Sequence, residues 1–537
     1  MTGSLAHAGA IDTLTAQQRH AAATRQKNIF IEAGPGTGKT TVSAQRFGVQ
    51  RFAAEYRHDP RAVVAVSFTR AATYNLRRRV QRLWGTEALA WPHRIVTLDT
   101  IMSDLLHDLL REGLVEWPGA KKLWPDGNVK LTVRDSWASC GGTTSTRSIY
   151  ELGLNGKSLT FKETFATSYA NRVPAVNIVP HMLQGICTHD DVRSILQHAL
   201  TRPDCDTHIR ERLGQQIRAL VVDEVFDANE LDIAIIEAAI AAGVAVTLVG
   251  DPWQALYLFR GAKPHVVPDL LTRNSIPTLP LTRSFRWQTE EQTELANNLR
   301  NGAGVVLPAD LADFDVALAL FWKDLWAIGG VLPLAYNSFK GGYEEAAATL
   351  LLNHVTRNIL DLDATYLGDA LTALNIEDRD VVRQLEPALQ RVIEKLEPGT
   401  PAAIKTAYNE LVAVVGAVSA RNLRPAHTAH TKRLALLQSR ITCPGRPVPG
   451  LTTHQAKGGE WDIVGVFLSD NERKVLGAGL SVTQDTHRKI YVATTRARYR
   501  TIEVFPAAPP PKKRAARKAT KSTTGEECVT DISPRSR

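Results

Sequence analysis

The sequence predicts an α/β protein built from parallel sheets flanked by helices, and three observations carry that reading. Short β-branched runs alternate with amphipathic helical patterns through the first hundred residues, the rhythm returns at RALVVDE and VAVTLVGD, and a final strand-and-helix group closes before Phe505. Parallel strands need crossover helices, and this alternation supplies them.

Taken in order, NIFIEA (28–33) is a strand followed by a helix from about Gly38, AVVAVSF (62–68) leads into an Arg-rich helix, and RIVTL (94–98) leads into another. Between Ser103 and Gln216 lie Trp, Gly and Thr clusters and helical segments without that rhythm, which reads as an insertion. From Tyr343 to Ser439 apolar residues recur at three and four spacing in AATLLLNHVTRNIL, VVRQLEPALQRVIEKL and AYNELVAVVGAV, a second and all-helical insertion. The Pro/Gly boundary CPGRPVPG precedes the strands GLTTH and IVGVFL, and the helix and strand of KIYVATTRARYRTIEVF end the folded part. Beyond it, PAAPPPKKRAARKATKSTTG has no apolar periodicity and reads as a disordered basic tail.

A chain of 537 residues with 44% hydrophobic and 22% charged content is globular and long enough for several domains. Its net charge is +9, but residues 506–537 hold eight Lys and Arg against three Asp and Glu, so five of those nine positive charges belong to the tail. Bulk charge is therefore a poor argument for nucleic acid. Five scattered cysteines without a CxxC pair exclude a disulfide framework or zinc knuckle and suit a reducing, cytoplasmic setting. The N-terminus has no signal-peptide pattern, and Ile233–Gly250, broken by Glu237, reads as helix then strand, so no membrane span is expected.

Chemistry concentrates at three strand ends. In AGPGTGKTT a strand runs into a Gly-rich loop, so Ala33, Gly34, Pro35, Gly36, Thr37, Gly38, Lys39, Thr40 and Thr41 form a phosphate cradle. Lys39 reaches the β and γ phosphates of ATP, and Thr40 ligates Mg2+. In LVVDE, Asp223 can hold the hydrated magnesium and Glu224 can orient or deprotonate a water. In GDPWQALYLFRGA, Gln254 can sense the γ phosphate, while Tyr257, Phe259 and Arg260 make a stacking and phosphate-binding group for a single strand. Taken singly, a strand-end acidic pair and aromatics in a helix core are the plainer readings. Trp253 can simply pack, and Arg77, Arg78 and Arg79 read as a solvated helix face.

In this order the motifs resemble those of the UvrD, Rep and PcrA branch of superfamily 1A helicases. LTAQQRHAAAT is similar to the adenine-reading motif, with Gln18, and AVSFTRAATYNLRRRV to the segment that contacts single-stranded DNA, with Phe68 and Thr69. DEVFDAN and GDPWQALYLFRGA match the second and third motifs. LTRSFRW resembles the fourth, implying that Phe285 stacks on adenine and Arg286 meets the γ phosphate. LTTHQAKGGEW resembles the fifth, with His454 for DNA and Glu460 for nucleotide, and VATTRAR the sixth, with Arg496.

The resemblance implies two RecA-like P-loop NTPase domains, each carrying an inserted, mainly helical subdomain. Domain 1A spans 1–104 and 212–281 with insertion 1B at 105–211; domain 2A spans 282–342 and 445–505 with a reduced helical insertion 2B at 343–444; the tail is 506–537. It implies ATP- and Mg2+-dependent 3′ to 5′ movement on single-stranded and forked DNA with duplex unwinding. The alternative is a nucleotide-sensing subunit resembling the UvrD-like member of Gabija-type anti-phage defence, acting with a nuclease partner protein. Departures from the family pattern are Val225 and Phe226 in the second motif, Ala71 in the first DNA segment, Leu98 and Asp99 beside it, and Gly459 in the fifth motif.

Overall fold

The computed structural model describes residues 14–507 apart from 120–129, 136, 138–143, 174, 310–312 and 379. The basic tail expected beyond Phe505 lies almost wholly outside the described residues. Strands β1 (Ile29–Ala33), β2 (Ala62–Ser67) and β3 (Arg94–Thr97) come first. The first insertion follows with β4 (Thr132–Arg134), β5 (Thr144–Asn155), β6 (Ser158–Arg172) and β7 (Ile186–Thr188). The chain then returns through β8 (Ile217–Asp223), β9 (Ala245–Gly250) and β10 (Thr278–Leu281).

Six of these strands form one parallel sheet in the order β10-β1-β9-β8-β2-β3. β2 and β8 are buried along their whole length, as a parallel sheet covered on both faces requires. Their alternation divides two cores: Val63, Ala65 and Val221 pack under one face, whereas Val64, Val66 and Val222 pack under the other. β1, β9 and β8 are neighbours, so the three chemistry-bearing loops leave adjacent carboxyl ends.

A second parallel sheet contains β11 (Val316–Ala319), β12 (Val331–Pro333), β13 (Val448–Thr452), β14 (Trp461–Phe467) and β15 (Ala497–Val504) in the order β12-β13-β11-β14-β15. Its core takes in Trp253 and Leu256, so the turn after β9 is packed into the other sheet's domain. The turn that carries Gln254 is thereby fixed at the boundary between the two halves.

The first insertion adds an element not foreseen in its sequence, an antiparallel ribbon of β5 and β6. The ribbon reverses right after Asn155, where Gly156 takes φ +59°; Asn-Gly between β-rich runs is a strong hairpin signal. The second insertion consists, among the described residues, of helices 343–360, 367–373, 380–396, 401–416 and 428–441 around a core that includes Leu351, Leu389, Tyr408 and Leu434. Trp326 and Tyr336, stacked at 5.4 Å, tie that core to the second sheet. No helix among the described residues is long and apolar enough to cross a membrane.

Candidate functional site

The phosphate-type loop leaves β1 and enters the helix Lys39–Phe52 through Gly38 at φ +84°, a conformation that costs glycine nothing and aims the helix's free amides outward. Gly36, at φ +72°, is needed for a second reason. A Cβ there would lie 2.5 Å from both the Ser284 hydroxyl and Arg286 Cβ, so the loop is in tight contact with the segment after β10. Phe285 N donates to Gly36 O at 2.9 Å, and the Ser284 hydroxyl donates to Pro35 O at 2.9 Å. Gln18 braces the loop from behind. Its amide donates to Thr37 O at 2.9 Å, and its carbonyl accepts Thr15 N in a capping box.

A cleft of about 600 Å³ opens between the two sheets over this loop. Gly34, Gly36, Gly38, Lys39, Thr40 and Thr41 line it from the loop, with Asp223, Glu224 and Gln254 from the neighbouring strand ends. Arg286, Glu460 and Arg496 line it from the second sheet's domain. Ala33, Pro35 and Thr37 are buried and do not line it, and Phe285, half-exposed with Arg283 5.2 Å from its ring, stands outside the lining as well.

Electrostatics distinguish the two adjacent carboxylates. Burial, reinforced by Glu224, pushes Asp223 up to about 7; the Ser43 hydroxyl donates to it at 3.2 Å. Burial also works against ionisation of Glu224, but Lys457 and Lys39, at 3.6 and 3.9 Å, outweigh it and keep its carboxyl below the ordinary range. Glu224 sits at φ 60°, ψ 46°, a left-handed conformation rare for a side chain of this size and held here by the turn that follows β8. An ionised Glu224 suits a base or water-orienting group. Asp223 and the Thr40 hydroxyl supply hard oxygen donors of the kind Mg2+ takes, so the residues present fit that ion.

The opposite wall is cationic. Arg286 donates to Glu460 at 3.2 Å and to Thr495 O at 3.1 Å, and Glu460 is also held by Arg498 at 2.9 Å. Arg496 is only 1% exposed, its Nη2 has no hydrogen-bond partner, and burial beside Arg286 depresses its pKa well below the ordinary value. A buried guanidinium that lines the cleft and keeps an unmet donor fits an anion there, and the γ phosphate of ATP has that chemistry. A larger cavity of about 710 Å³ lies at the amino ends of β2 and β8, but its charges are already paired, Arg94 with Asp104 and Arg212 with Asp108. The smaller cleft is lined by Arg496 and Asp227, each with a buried side-chain atom that has no hydrogen-bond partner.

Beside the cleft lie the residues expected to meet a nucleic-acid strand. Tyr257, Phe259 and His454 form a ring cluster with centroids 5.2–6.3 Å apart, and the Arg260 guanidinium lies 5.2 Å from the Tyr257 ring and 5.6 Å from Phe259. Phe259 is 68% exposed, whereas His454, whose pKa is lowered by burial and nearby Lys489, is in ring-nitrogen contact with Leu256 O at 3.1 Å. Phe68 and Thr69 line both the cleft and an adjoining cavity of about 480 Å³. The Thr69 hydroxyl caps the helix Arg70–Trp84 by accepting Ala72 N. Asp99, which would repel phosphate if it faced the strand, is engaged by Arg193 at 2.7 Å.

Several further side chains pack at or beside the cleft. Phe226 is buried edge-on against Phe30, and Lys457 Nζ lies 2.5 Å from Asp227. Gly459 leaves room for the Trp461 ring, which a Cβ would meet at 2.5 Å. Arg79 lines the cleft and Arg77 donates to Ile95 O, so of that cluster Arg78 is the member that lies over an exposed ring, Tyr74. Trp253 packs on Tyr491 at 4.8 Å.

Residues 14–122 and 155–272 match the UvrD/REP helicase N-terminal domain. The chain is 25% identical over 306 residues to DNA helicase II of Salmonella typhimurium, covering 51% of this chain and 39% of that one. DNA helicase II of Escherichia coli is 24% identical over 306 residues, with the same coverage. ATP-dependent DNA helicase UvrD2 of Mycobacterium tuberculosis is 24% identical over 378 residues, covering 62% of this chain and 54% of that one. The chain thus spans about two fifths to one half of the length of these relatives.

Proposed function

The chain is a UvrD-like member of superfamily 1A, and from that premise we propose that it is an ATP-dependent DNA translocase and helicase moving 3′ to 5′ on a single strand. The single observation that carries the proposal is the two-sided cleft. Lys39, Glu224 and Gln254 from one sheet face Arg286 and Arg496 from the other, with the Tyr257–Phe259–His454 cluster at its mouth.

ATP would lie over the Gly34–Thr41 loop with its γ phosphate between Lys39 and the two arginines. Bound Mg2+, held by Thr40 and Asp223, would neutralise charge on the β and γ phosphates. Glu224 orients and accepts a proton from the attacking water; Gln254 positions that water; Arg286 and Arg496 stabilise the charge that develops. Because the arginines belong to the second domain, their attraction to the γ phosphate draws the domains together, and its loss releases them. Lys457 touches Asp227, Glu224 and the Tyr257 ring (Nζ to centroid 5.0 Å), and this supports a route by which strand binding alters Glu224. Thr69, Phe259 and Arg260 supply stacking and phosphate contacts for single-stranded and forked DNA in the cytoplasm.

The test is a strand-displacement assay with 3′ and 5′ overhangs and matched ATP turnover. The proposal expects displacement from a 3′ overhang and none from Lys39→Ala. Displacement only from a 5′ overhang contradicts the polarity. Turnover without displacement favours the partner-dependent reading, in which the chain senses nucleotide and acts with a nuclease.

A further inference from the structure

Arg300 ends the helix Glu290–Arg300 of the second sheet's domain, yet its guanidinium lies against the first. Nη1 donates to the Asp251 carboxylate at 3.2 Å and to the Tyr491 hydroxyl at 3.4 Å, while Nη2 donates to Glu32 at 3.2 Å. A Cβ on Gly34 would sit 3.4 Å from Nη1, so the guanidinium also borders the start of the phosphate loop. None of the motifs in the sequence includes this arginine.

What Arg300 holds is informative. The Asp251 side chain is fully buried; its Oδ2 accepts the Gln254 amide at 2.7 Å and its Oδ1 accepts Trp253 N at 3.2 Å. Gln254 is therefore oriented by Asp251, and the charge of Asp251 is met by an arginine from the opposite domain. A buried carboxylate deprived of its cation turns toward water, and that movement would release the Gln254 amide. Tyr491 lies on the helix Asp485–Thr494, which ends just before Arg496. One side chain thus touches the turn that carries Gln254, the strand end that opens the phosphate loop and the helix that leads to Arg496.

We infer that Arg300 is a positioning residue for ATP cleavage: by bridging to Asp251 across the cleft it sets the Gln254 amide only when the two sheets are closed on each other. The inference rests on the ATPase reading above and adds to it a condition, that cleavage waits for closure. It differs from a simple tie between domains. A tie would affect stability and nucleotide affinity, whereas a positioning group acts on turnover through Gln254.

The experiment is a mutant cycle in the full chain with Arg300→Ala, Arg300→Lys, Gln254→Ala and the Arg300→Ala/Gln254→Ala double variant. Single-stranded-DNA-stimulated ATP turnover, affinity for a fluorescent non-hydrolysable ATP analogue, and thermal melting are measured for each. We expect Arg300→Ala to lower kcat about tenfold or more while shifting analogue affinity less than about threefold. In the Gln254→Ala background the same change should cost less than about twofold, since the two residues act as a unit. Arg300→Lys, which reaches one carboxylate but cannot span Asp251 and Glu32 together, should fall between; if Arg300→Ala does not fold, it supplies the cycle. The full kcat loss persisting in the Gln254→Ala background, or an equal loss of analogue affinity, would overturn the inference. Wild-type protein without ATP turnover would overturn the ATPase reading itself, whereas normal turnover in folded Arg300→Ala would overturn only the role of Arg300.

Discussion

Lys457 Nζ lies 2.5 Å from the Asp227 carboxylate, joining the segment after β13 to the turn after β8 at a point where both side chains are nearly dry. Burial alone would favour a neutral Lys457, but Asp227 and Glu224 outweigh it and hold the ammonium charged. Asp227, despite that partner, is pushed up to about 6 by burial. Both charges are thus retained by each other.

Lys457→Met should therefore destabilise the protein by about 3–5 kcal/mol, because it leaves Asp227 buried without its cation. Adding Asp227→Asn should return a large part of that loss, since the uncompensated charge disappears with it. Denaturant unfolding of the single and double variants measures both. A double variant no more stable than Lys457→Met would show that the charge pair is not what Lys457 contributes.

Arg496 should show the opposite balance between stability and activity. Its Nη2 is unpartnered and buried, so Arg496→Met should leave the melting temperature of the nucleotide-free protein unchanged or higher. ATP turnover should nevertheless fall by about 10³-fold or more, the scale of an arginine acting on a transferring phosphoryl group. Calorimetry beside a turnover assay separates the two, and a clear drop in melting temperature would assign Arg496 a structural task.

Phe259 is exposed and can be truncated without opening the core. Phe259→Ala should weaken single-stranded DNA binding by about 1–3 kcal/mol with no change in melting temperature. Arg260→Ala should instead reduce the salt dependence of binding, lowering the slope of log affinity against log salt by about 1. Fluorescence anisotropy across a salt series reads both, and equal affinity for Phe259→Ala and wild type would remove Phe259 from the binding surface.

His93 gives the pH dependence of the fold a specific direction. Its Nδ1 accepts Val63 N at 2.9 Å, and burial, with Arg51 and Arg218 nearby, lowers its pKa to about 4. The folded value lies below the unfolded value of about 6.5, so the native state binds fewer protons between the two. Its contribution to stability is present above pH ~6.5 and is lost as pH falls through about 4. Melting curves at pH 7.5, 5.5 and 4.5 should fall more steeply for wild type than for His93→Asn, and parallel curves would contradict this.

Much of the site was legible because it depends on local pattern. A strand that runs into Gly34–Thr41, an acidic pair closing β8 and the GDPWQ turn closing β9 are each contiguous, and parallel topology then brings their ends together. β11 and β12, strands of four and three residues, carry too little periodicity to be legible in sequence. The β5–β6 ribbon has a single local signal, Asn155–Gly156, set within Thr- and Ser-rich sequence. Arg300 and Lys457 are different in kind: their partners Glu32 and Asp227 lie 268 and 230 residues away, and no spacing rule reaches so far.

The central claim, that one cleft couples ATP cleavage to a bound strand, is tested most directly by ATP turnover of the purified chain with and without single-stranded DNA. Turnover that rises with single-stranded DNA and vanishes in Lys39→Ala is the predicted result. Turnover indifferent to DNA, or intact in Lys39→Ala, would contradict it.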